Sequence, residues 1–180
     1  MNTQTRIWKG AGTLAEQTDW ETAYREYLPR IYNFFRYRLS DESLAEDLTA
    51  AVFEKAWRGR KRYQRDLSAF STWLFTIARN VAADHFRRGE RDIPLYAVRG
   101  QTDPASLEEA VQHRQDSARL EVLLSQLPER ERELVAFKYG AGLNNREIAR
   151  LTRLSESNVG TILHRVVEKF RLELEVNHER

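Results

Sequence analysis

The chain has 180 residues, 41% hydrophobic and 31% charged, which predicts one or two small domains with a hydrophobic core. It contains no cysteine, and this excludes disulfides, thiolate catalysis and cysteine-bound zinc. No apolar run reaches the roughly 18 residues of a membrane span, and the first 19 residues lack the apolar stretch of a signal peptide. We therefore expect no membrane insertion and a cytoplasmic protein.

The sequence divides into two blocks with helical patterns. Residues 1–18 are a polar N-terminal tail, 19–89 the first block, 90–116 a linker and 117–180 the second block. Prolines and glycine interrupt the linker, where we expect at most a short helix after Pro104. No series of strands is visible. The predicted fold class is all-α, with two small helical domains joined by a flexible linker.

Four helical segments are predicted in the first block. Two run from Asp19 to Leu28 and from Pro29 to Leu39, with Pro29 either kinking one helix or starting another. The third runs from about Ser43 to Trp57. Its core face is Ala45, Leu48, Val52 and Ala56, and the side chains expected to point elsewhere include Glu46, Asp47, Thr49 and Glu54.

A basic segment, residues 58–70, leads from the third helix to the fourth. It contains five basic residues and one acidic residue, and such a run repels itself without a polyanion nearby. The fourth helix is predicted from Ser71 to Arg88, with Arg79, Asn80 and Arg87 opposite its apolar stripe. Cations beside aromatic rings suit single-stranded nucleic acid. Trp73 taken alone is more typical of a core.

The second block contains a helix-turn-helix pattern in residues 144–165. Asn144 and Glu147 have the spacing of a capping box, and Ser155 is the predicted N-cap of the second helix. Residues 138–171 contain seven basic and three acidic residues, a local charge of +4 in a chain of net charge +2. This distribution favours a DNA-reading helix. The spacing also fits an ordinary helical hairpin.

Catalysis has little support in the sequence. The four histidines are scattered without HExxH spacing, and no metal or cofactor is expected. The Glu/Arg pattern from Pro128 to Glu133 is typical of a solvated helix. We therefore expect that the chain is not an enzyme.

Several of these segments resemble a known family. The motifs AEDLT and TWLFTIARN in the first block, and LPERERE, REIA and NVGT in the second, resemble regions two and four of bacterial sigma factors. The order of the regions and the short linker are similar to the extracytoplasmic-function (ECF) group of the sigma-70 family. The resemblance covers about Asp19 to Leu174. It implies a factor that binds core RNA polymerase, recognises and opens promoters, and is held by an anti-sigma factor.

The resemblance also implies roles for individual residues. Those implied for the melted non-template strand of the minus-ten element are Arg60, Lys61, Arg62, Tyr63, Arg65, Phe70, Trp73, Arg79, Asn80, Arg87 and Arg88. Those implied for the duplex minus-thirty-five element are Arg146, Ser155, Ser157, Asn158, Thr161, His164, Arg165 and Lys169. Those implied for the clamp of core polymerase are Glu46, Asp47, Thr49 and Glu54. A second polymerase contact, with the flap, is also implied.

The chain departs from the family at several positions. Ala50 and Ala51 stand where Gln and Glu are common, Leu163 and Glu168 lie at or near frequent basic positions, and Arg153 replaces a frequent turn glycine. The preferred promoter sequence is therefore expected to differ from the usual one of the group. Two other classes stay open at this point: a stand-alone helix-turn-helix regulator, and a helical protein-interaction module.

Overall fold

The computed structural model describes residues 20–39, 41–63, 69–89 and 118–176, and these ranges contain helices and no strand. The first block consists of α1 (Trp20–Arg38), α2 (Glu42–Gly59), a 3-10 turn (Arg60–Arg62) and α3 (Phe70–Gly89). The second block consists of α4 (118–125), α5 (Glu129–Val135), α6 (Asn145–Thr152) and α7 (Glu156–Val176). The all-α fold class is confirmed. The tail, the linker and the helix expected after Pro104 lie outside the described residues.

Pro29 lies inside α1, and the two segments predicted around it form one helix. Proline has no N–H to donate and crowds the carbonyl of the preceding turn, so a helix continues through it only when packing compensates. Here the turns that follow bury Ile31, Phe34 and Phe35 completely. Burying each such side chain stabilises by about 1.5–3 kcal/mol, which matches the cost of an interior proline.

The ends of α2 follow from its sequence. Asp41 precedes the helix, and the backbone N–H of Leu44 donates to its Oδ1 at 3.0 Å. This cap satisfies one of the N–H groups that have no partner within the helix. The helix ends at Gly59, as predicted, and the next three residues tighten into the 3-10 turn.

The two blocks share one hydrophobic core. Phe34 of α1 stacks on Phe137 of the second block, with ring centroids 4.7 Å apart and planes inclined by 22°. Phe75 of α3 meets the edge of the same ring at 6.2 Å. Phe137 belongs to a π-helical turn, Ala136–Gly140, that extends α5 and packs on α1. The blocks therefore meet through close-packed side chains as well as surface charges.

Gly140 marks the closest approach between the blocks. A Cβ atom at this position would lie 2.7 Å from the carbonyl oxygen of Asn33 and 3.1 Å from the ring of Tyr37. The first neighbour is helix backbone and cannot move aside independently. Only glycine lets α1 and the π-helical turn approach this closely.

Within the described ranges, no helix has the length and apolarity needed to cross a membrane.

Candidate nucleic-acid interface

A cluster of aromatic rings lies beside the basic 3-10 turn. Tyr63, directly after the turn, lies 5.0 Å from the ring of Trp73 and 5.6 Å from the ring of Phe70. Both of these rings also contact Trp20 of α1, at 6.3 and 5.6 Å. The rings are partly buried, so they form a wall of the core and expose some of their surface. Trp73 therefore packs against the core, and stacking of a base on its remaining surface stays a prediction.

The basic turn presents its cations in different ways. The Arg60 guanidinium stacks 3.8 Å from the centre of the Trp57 ring and donates to the Trp57 carbonyl at 2.7 Å. Lys61 and Arg62 are exposed. Arg65 lies outside the described residues. The turn therefore combines two exposed charges, Lys61 and Arg62, with the guanidinium of Arg60, which is held against the Trp57 ring.

The outer face of α3 is polar, as predicted, at Asn80 and Arg87. Both side chains are exposed, and Arg87 forms an ion pair with Asp84 one turn earlier. Asp84 also pairs with Lys55 of α2 at 3.5 Å. Arg88 belongs to the last turn of α3.

Arg79 lies on the outer face of α3 and its side chain is 39% exposed, but unlike Asn80 it is engaged by the second block, which helical spacing did not predict. Its Nε donates to Oε1 of Glu133 at 3.0 Å and its Nη2 to Oε2 at 3.2 Å. Its Nη1 donates to the Leu151 carbonyl at the end of α6, at 2.9 Å. The reason is the second block, which covers this part of α3 and supplies a carboxylate in the fork geometry that arginine prefers.

Arg38 is the second cation on Glu133, and sequence reasoning missed it. It is only 5% exposed, and its Nη1 donates to Oε1 of Glu133 at 3.0 Å while its Nη2 donates to Glu129 at 2.9 Å. Its guanidinium also lies 5.0 Å from the Phe86 ring. Burial lowers the pKa of Arg38, whereas Glu133 and Glu129 act in the opposite direction. Arginine stays protonated in proteins even when it is buried, so Arg38 needs carboxylate partners to offset the cost of burying its charge.

Glu133 is likewise the exception in a segment that was expected to be solvated. It is 8% exposed, whereas Glu129 and Arg130 of the same helix are exposed. A cleft of about 560 Å³ opens next to it, between α3 and the second block. Its polar lining consists of Arg38, Arg79, Asn80, Glu129, Arg130, Glu133 and Thr152.

The helix-turn-helix is formed as the sequence predicts. The N–H of Glu147 donates to Oδ1 of Asn144 at 3.0 Å, and the N–H of Asn144 donates to Oε2 of Glu147 at 2.8 Å, so both bonds of the capping box are present. The turn passes through Arg153, which adopts a left-handed conformation with φ 60°. Ser155 then caps α7 by accepting from the N–H of Asn158 at 3.1 Å.

One face of α7 is buried against the core and the other is polar and exposed. The buried side chains are Val159, Leu163 and Val166. The exposed polar side chains are Ser157, Asn158, Thr161, His164, Arg165 and Lys169. Leu163 is therefore a core residue here, which explains why no cation stands at this position.

Some of the candidate side chains on this face already have partners. Arg165 pairs with Glu131 of α5 at 2.9 Å, and Arg146 pairs with Glu156 at 3.6 Å. The Thr161 hydroxyl donates to the Ser157 carbonyl at 3.0 Å. These contacts are exposed, and exposed ion pairs are weak enough for a phosphate or base edge to replace them.

The acidic surface of α2 differs from the prediction at one residue. Glu46, Asp47 and Glu54 are exposed, but Thr49 is 4% exposed and its hydroxyl donates to the Ala45 carbonyl at 2.7 Å. Thr49 lies four residues after Ala45 and three before Val52, both buried, and so falls on the core face. The same spacing in the sequence could have shown this.

These features define an all-α protein with a helix-turn-helix in its second block. A family model described as Sigma-70 region 2 matches residues 23–92, and one described as Sigma-70, region 4 matches residues 117–170. The RNA polymerase sigma factor CarQ of Myxococcus xanthus is 35% identical over 168 residues, covering 89% of this chain and 94% of that protein. The ECF RNA polymerase sigma factor SigX of Bacillus subtilis is 30% identical, covering 87% and 84%.

Two other comparisons concern a further relative in sequence and a protein of the same fold. The ECF RNA polymerase sigma factor BldN of Streptomyces coelicolor is 33% identical, and the match covers 80% of this chain but only 56% of that protein. The sigma factor RpoE of Bartonella quintana, crystallised with the anti-sigma factor NepR, shares the fold with a TM-score of 0.68 at 22% identity, covering 88% of this chain and 98% of that one. The chain belongs to the ECF group of the sigma-70 family of RNA polymerase sigma factors.

Proposed function

We propose that this sigma factor reads promoter DNA through two separate surfaces, one in each block. The observation that carries the proposal is the exposed polar face of α7, the second helix of a helix-turn-helix in which both helices begin with a side-chain cap. Such a helix has the diameter and the hydrogen-bonding side chains needed for the major groove. The cationic turn in the first block, beside exposed ring edges, supplies the second surface.

The first surface suits the melted strand of a minus-ten element. Lys61 and Arg62 would neutralise phosphates, the rings of Tyr63 and Trp73 would border unstacked bases, and Asn80 would donate and accept at a base edge. Flipping a base costs a few kcal/mol, and a preformed ring cluster offsets part of this cost because it needs no reorganisation. The remaining candidates for this surface are Arg60, Arg65, Phe70, Arg79, Arg87 and Arg88.

The second surface suits the duplex minus-thirty-five element. Ser157, Asn158, Thr161, His164 and Arg165 project from α7 toward base edges in this proposal, with Arg146, Ser155 and Lys169 positioned for phosphates. Each of the two surfaces is small, and its affinity for DNA on its own is expected to be modest. Core polymerase raises the effective concentration of one surface near its DNA element once the other surface is bound, so the two surfaces together select a promoter.

The polymerase contacts proposed for the first block are Glu46, Asp47 and Glu54 on α2, directed at the clamp. The second block would contact the flap. We also propose an anti-sigma factor as a regulatory partner, because RpoE of Bartonella quintana, which has the same fold, was crystallised with the anti-sigma factor NepR. CnrH, also of this fold, has been solved in complex with the cytosolic domain of CnrY. The chain would act in the cytoplasm, without a cofactor and without catalysis of its own. Membership of the sigma-70 family disfavours the stand-alone regulator.

Run-off transcription with purified core polymerase and genomic DNA fragments tests the proposal. The chain should direct initiation at discrete start sites, and Asn80→Ala should reduce transcription from duplex promoters far more than from templates melted in advance. Arg25→Ala removes an exposed cation of α1 and should change neither. Equal losses on duplex and melted templates would remove Asn80 from the strand-reading surface. Failure to direct any start site would refute promoter reading.

A further inference from the structure

We propose that Trp20, the first residue of α1, is a positioning residue for the rings of the first DNA surface. In this proposal its indole ring does not contact DNA and instead fixes the orientation of the rings that would border unstacked bases. The inference rests on the proposed reading of a melted strand by Tyr63 and Trp73, and it adds a residue from a helix outside that surface.

Trp20 makes edge contacts with three rings from other helices. Its ring lies 5.8 Å from Trp57 of α2, 5.6 Å from Phe70 and 6.3 Å from Trp73, with interplanar angles of 87°, 77° and 75°. Aromatic rings prefer such T-shaped contacts because the positive edge of one ring meets the negative face of another. Each contact therefore restrains the orientation of a ring as well as its distance.

Trp73 has one ring contact with α1. Among the described residues, the rings that contact Trp73 are those of Trp20, Tyr63 and Phe70. Tyr63 follows the basic turn and Phe70 begins α3, so both belong to the DNA surface itself. Phe70 has a second contact with α1, through Tyr27 at 5.3 Å. Loss of the Trp20 ring should therefore release Trp73 more than Phe70.

The same ring of Trp20 supports the basic turn. Arg60 stacks 3.8 Å from the centre of the Trp57 ring, and Trp57 in turn meets Trp20. Trp57 is 37% exposed, so burial alone does not fix its ring. Trp20 therefore links the turn that carries Lys61 and Arg62 to the rings beside it.

A ring that is already held favours capture of a base for an entropic reason. A base that stacks on a freely rotating side chain must first restrict it, and this cost is subtracted from the free energy of stacking. A ring held by its neighbours has lost that freedom during folding. Trp20 should therefore contribute to capture of the melted strand and not to binding of core polymerase.

Transcription by the reconstituted holoenzyme tests this role. The measured quantity is the ratio of run-off transcription from a duplex promoter to that from the same promoter melted in advance. Trp20→Leu should lower this ratio about 2- to 10-fold, the effect of one aromatic contact on an equilibrium. Trp20→Phe should restore most of it, because a ring is kept. Tyr24→Leu is the matched control, since it removes a ring of α1 that contacts Phe53, and it should leave the ratio unchanged.

A double substitution separates positioning from a general loss of stability. If Trp20 acts through Trp73, then Trp20→Leu should lower the ratio no further in a chain that already carries Trp73→Leu. Fluorine NMR of the chain labelled with fluorotryptophan gives an independent readout. The Trp73 resonance, identified by its loss in Trp73→Leu, should move in Trp20→Leu and keep its position in Tyr24→Leu.

The outcomes distinguish this inference from the proposed function. A wild-type ratio in Trp20→Leu, together with a lowered ratio in Trp73→Leu, would overturn the positioning role and leave strand reading intact. Losses that add in the double variant, or a Trp73 resonance that does not move, would overturn it as well. A wild-type ratio in Trp73→Leu would refute strand reading by this ring, and with it the role of Trp20. Circular dichroism verifies that each variant keeps its helices.

Discussion

Arg79 of α3 and Glu133 of α5 form a bidentate ion pair between the two blocks of the chain. Its two donor–acceptor distances are 3.0 and 3.2 Å. Arg38 joins the same carboxylate from α1. One carboxylate therefore accepts hydrogen bonds from two cations of the first block, and Glu129 supplies a second carboxylate to Arg38. Because Arg38 and Glu133 are almost completely buried, the cluster depends on each partner being present.

Arg38→Ala should lower the free energy of unfolding by about 1.5–3 kcal/mol, the usual contribution of a hydrogen bond to a charged group. The loss arises because Glu133 then keeps only Arg79 as a hydrogen-bonded cation, and Glu129 loses its partner Arg38. Urea unfolding followed by circular dichroism measures the change. Arg25→Ala removes an exposed ion pair within α1 and should cost less than about 1 kcal/mol.

The double substitution Arg38→Met with Glu133→Leu separates charge from packing. Since apolar side chains of similar volume can replace a buried ion pair at little cost, the double variant should be much more stable than Arg38→Ala. If the double variant were as unstable as the single one, then lost packing around Phe86, and not the lost pairing with the carboxylates, would explain the effect.

The turn of the helix-turn-helix should accept glycine with a gain in stability. Arg153 has φ 60°, a conformation that costs a residue with a side chain roughly 1–2 kcal/mol. Glycine adopts this conformation without strain, although its greater flexibility in the unfolded chain offsets part of the gain. Arg153→Gly should therefore stabilise by about 0.5–1 kcal/mol in thermal unfolding. Arg150→Gly, at an exposed position inside α6, should instead destabilise by about 1 kcal/mol. A loss at both positions would contradict the argument from backbone geometry.

The helices and their caps could be predicted because they depend on local sequence. The capping box at Asn144 and Glu147, the N-cap at Ser155 and the end of α2 at Gly59 all agree with the pattern of residues. These features need only neighbours within about four positions, which is the range over which helix signals act. The polar face of α7 could be predicted for the same reason.

The charge cluster could not be predicted, because it depends on how the blocks meet. Glu133 stands in a run of alternating Glu and Arg in which Glu129 and Arg130 are exposed and Glu131 and Arg132 are partly buried. Nothing local distinguishes it from them. Thr49 is different, since its spacing from Ala45 and Val52 already indicated the buried face. That error came from giving weight to the family motif over helical periodicity.

Reversal of charge on α2 tests the proposed polymerase surface. Asp47 is exposed on α2, next to the exposed Glu46. Asp47→Arg should abolish co-purification with core polymerase, because like charges at an interface are strongly unfavourable. Glu21→Arg makes the same change in charge on α1 and should co-purify normally. Retention of the Asp47→Arg chain by the polymerase would exclude this residue from the interface.

Substitution of Arg165 tests the surface proposed for the duplex minus-thirty-five element, and substitution of its partner Glu131 provides a second, opposite expectation. Arg165→Ala should weaken promoter use by about 1–3 kcal/mol if the guanidinium contacts a base with two hydrogen bonds. Run-off transcription at several promoter concentrations measures this loss. Arg171→Ala removes an exposed cation paired with Glu168 on the same helix, and should have little effect.

Glu131 pairs with Arg165 within the second block, so this contact involves no residue of the first block. Glu131→Gln would release the guanidinium and remove a negative charge near the DNA. Promoter use should therefore stay equal or increase with Glu131→Gln, opposite in direction to Arg165→Ala. If both substitutions reduced transcription equally, the pair would act by holding α7 against α5, and Arg165 would be a structural residue instead of a base-reading one.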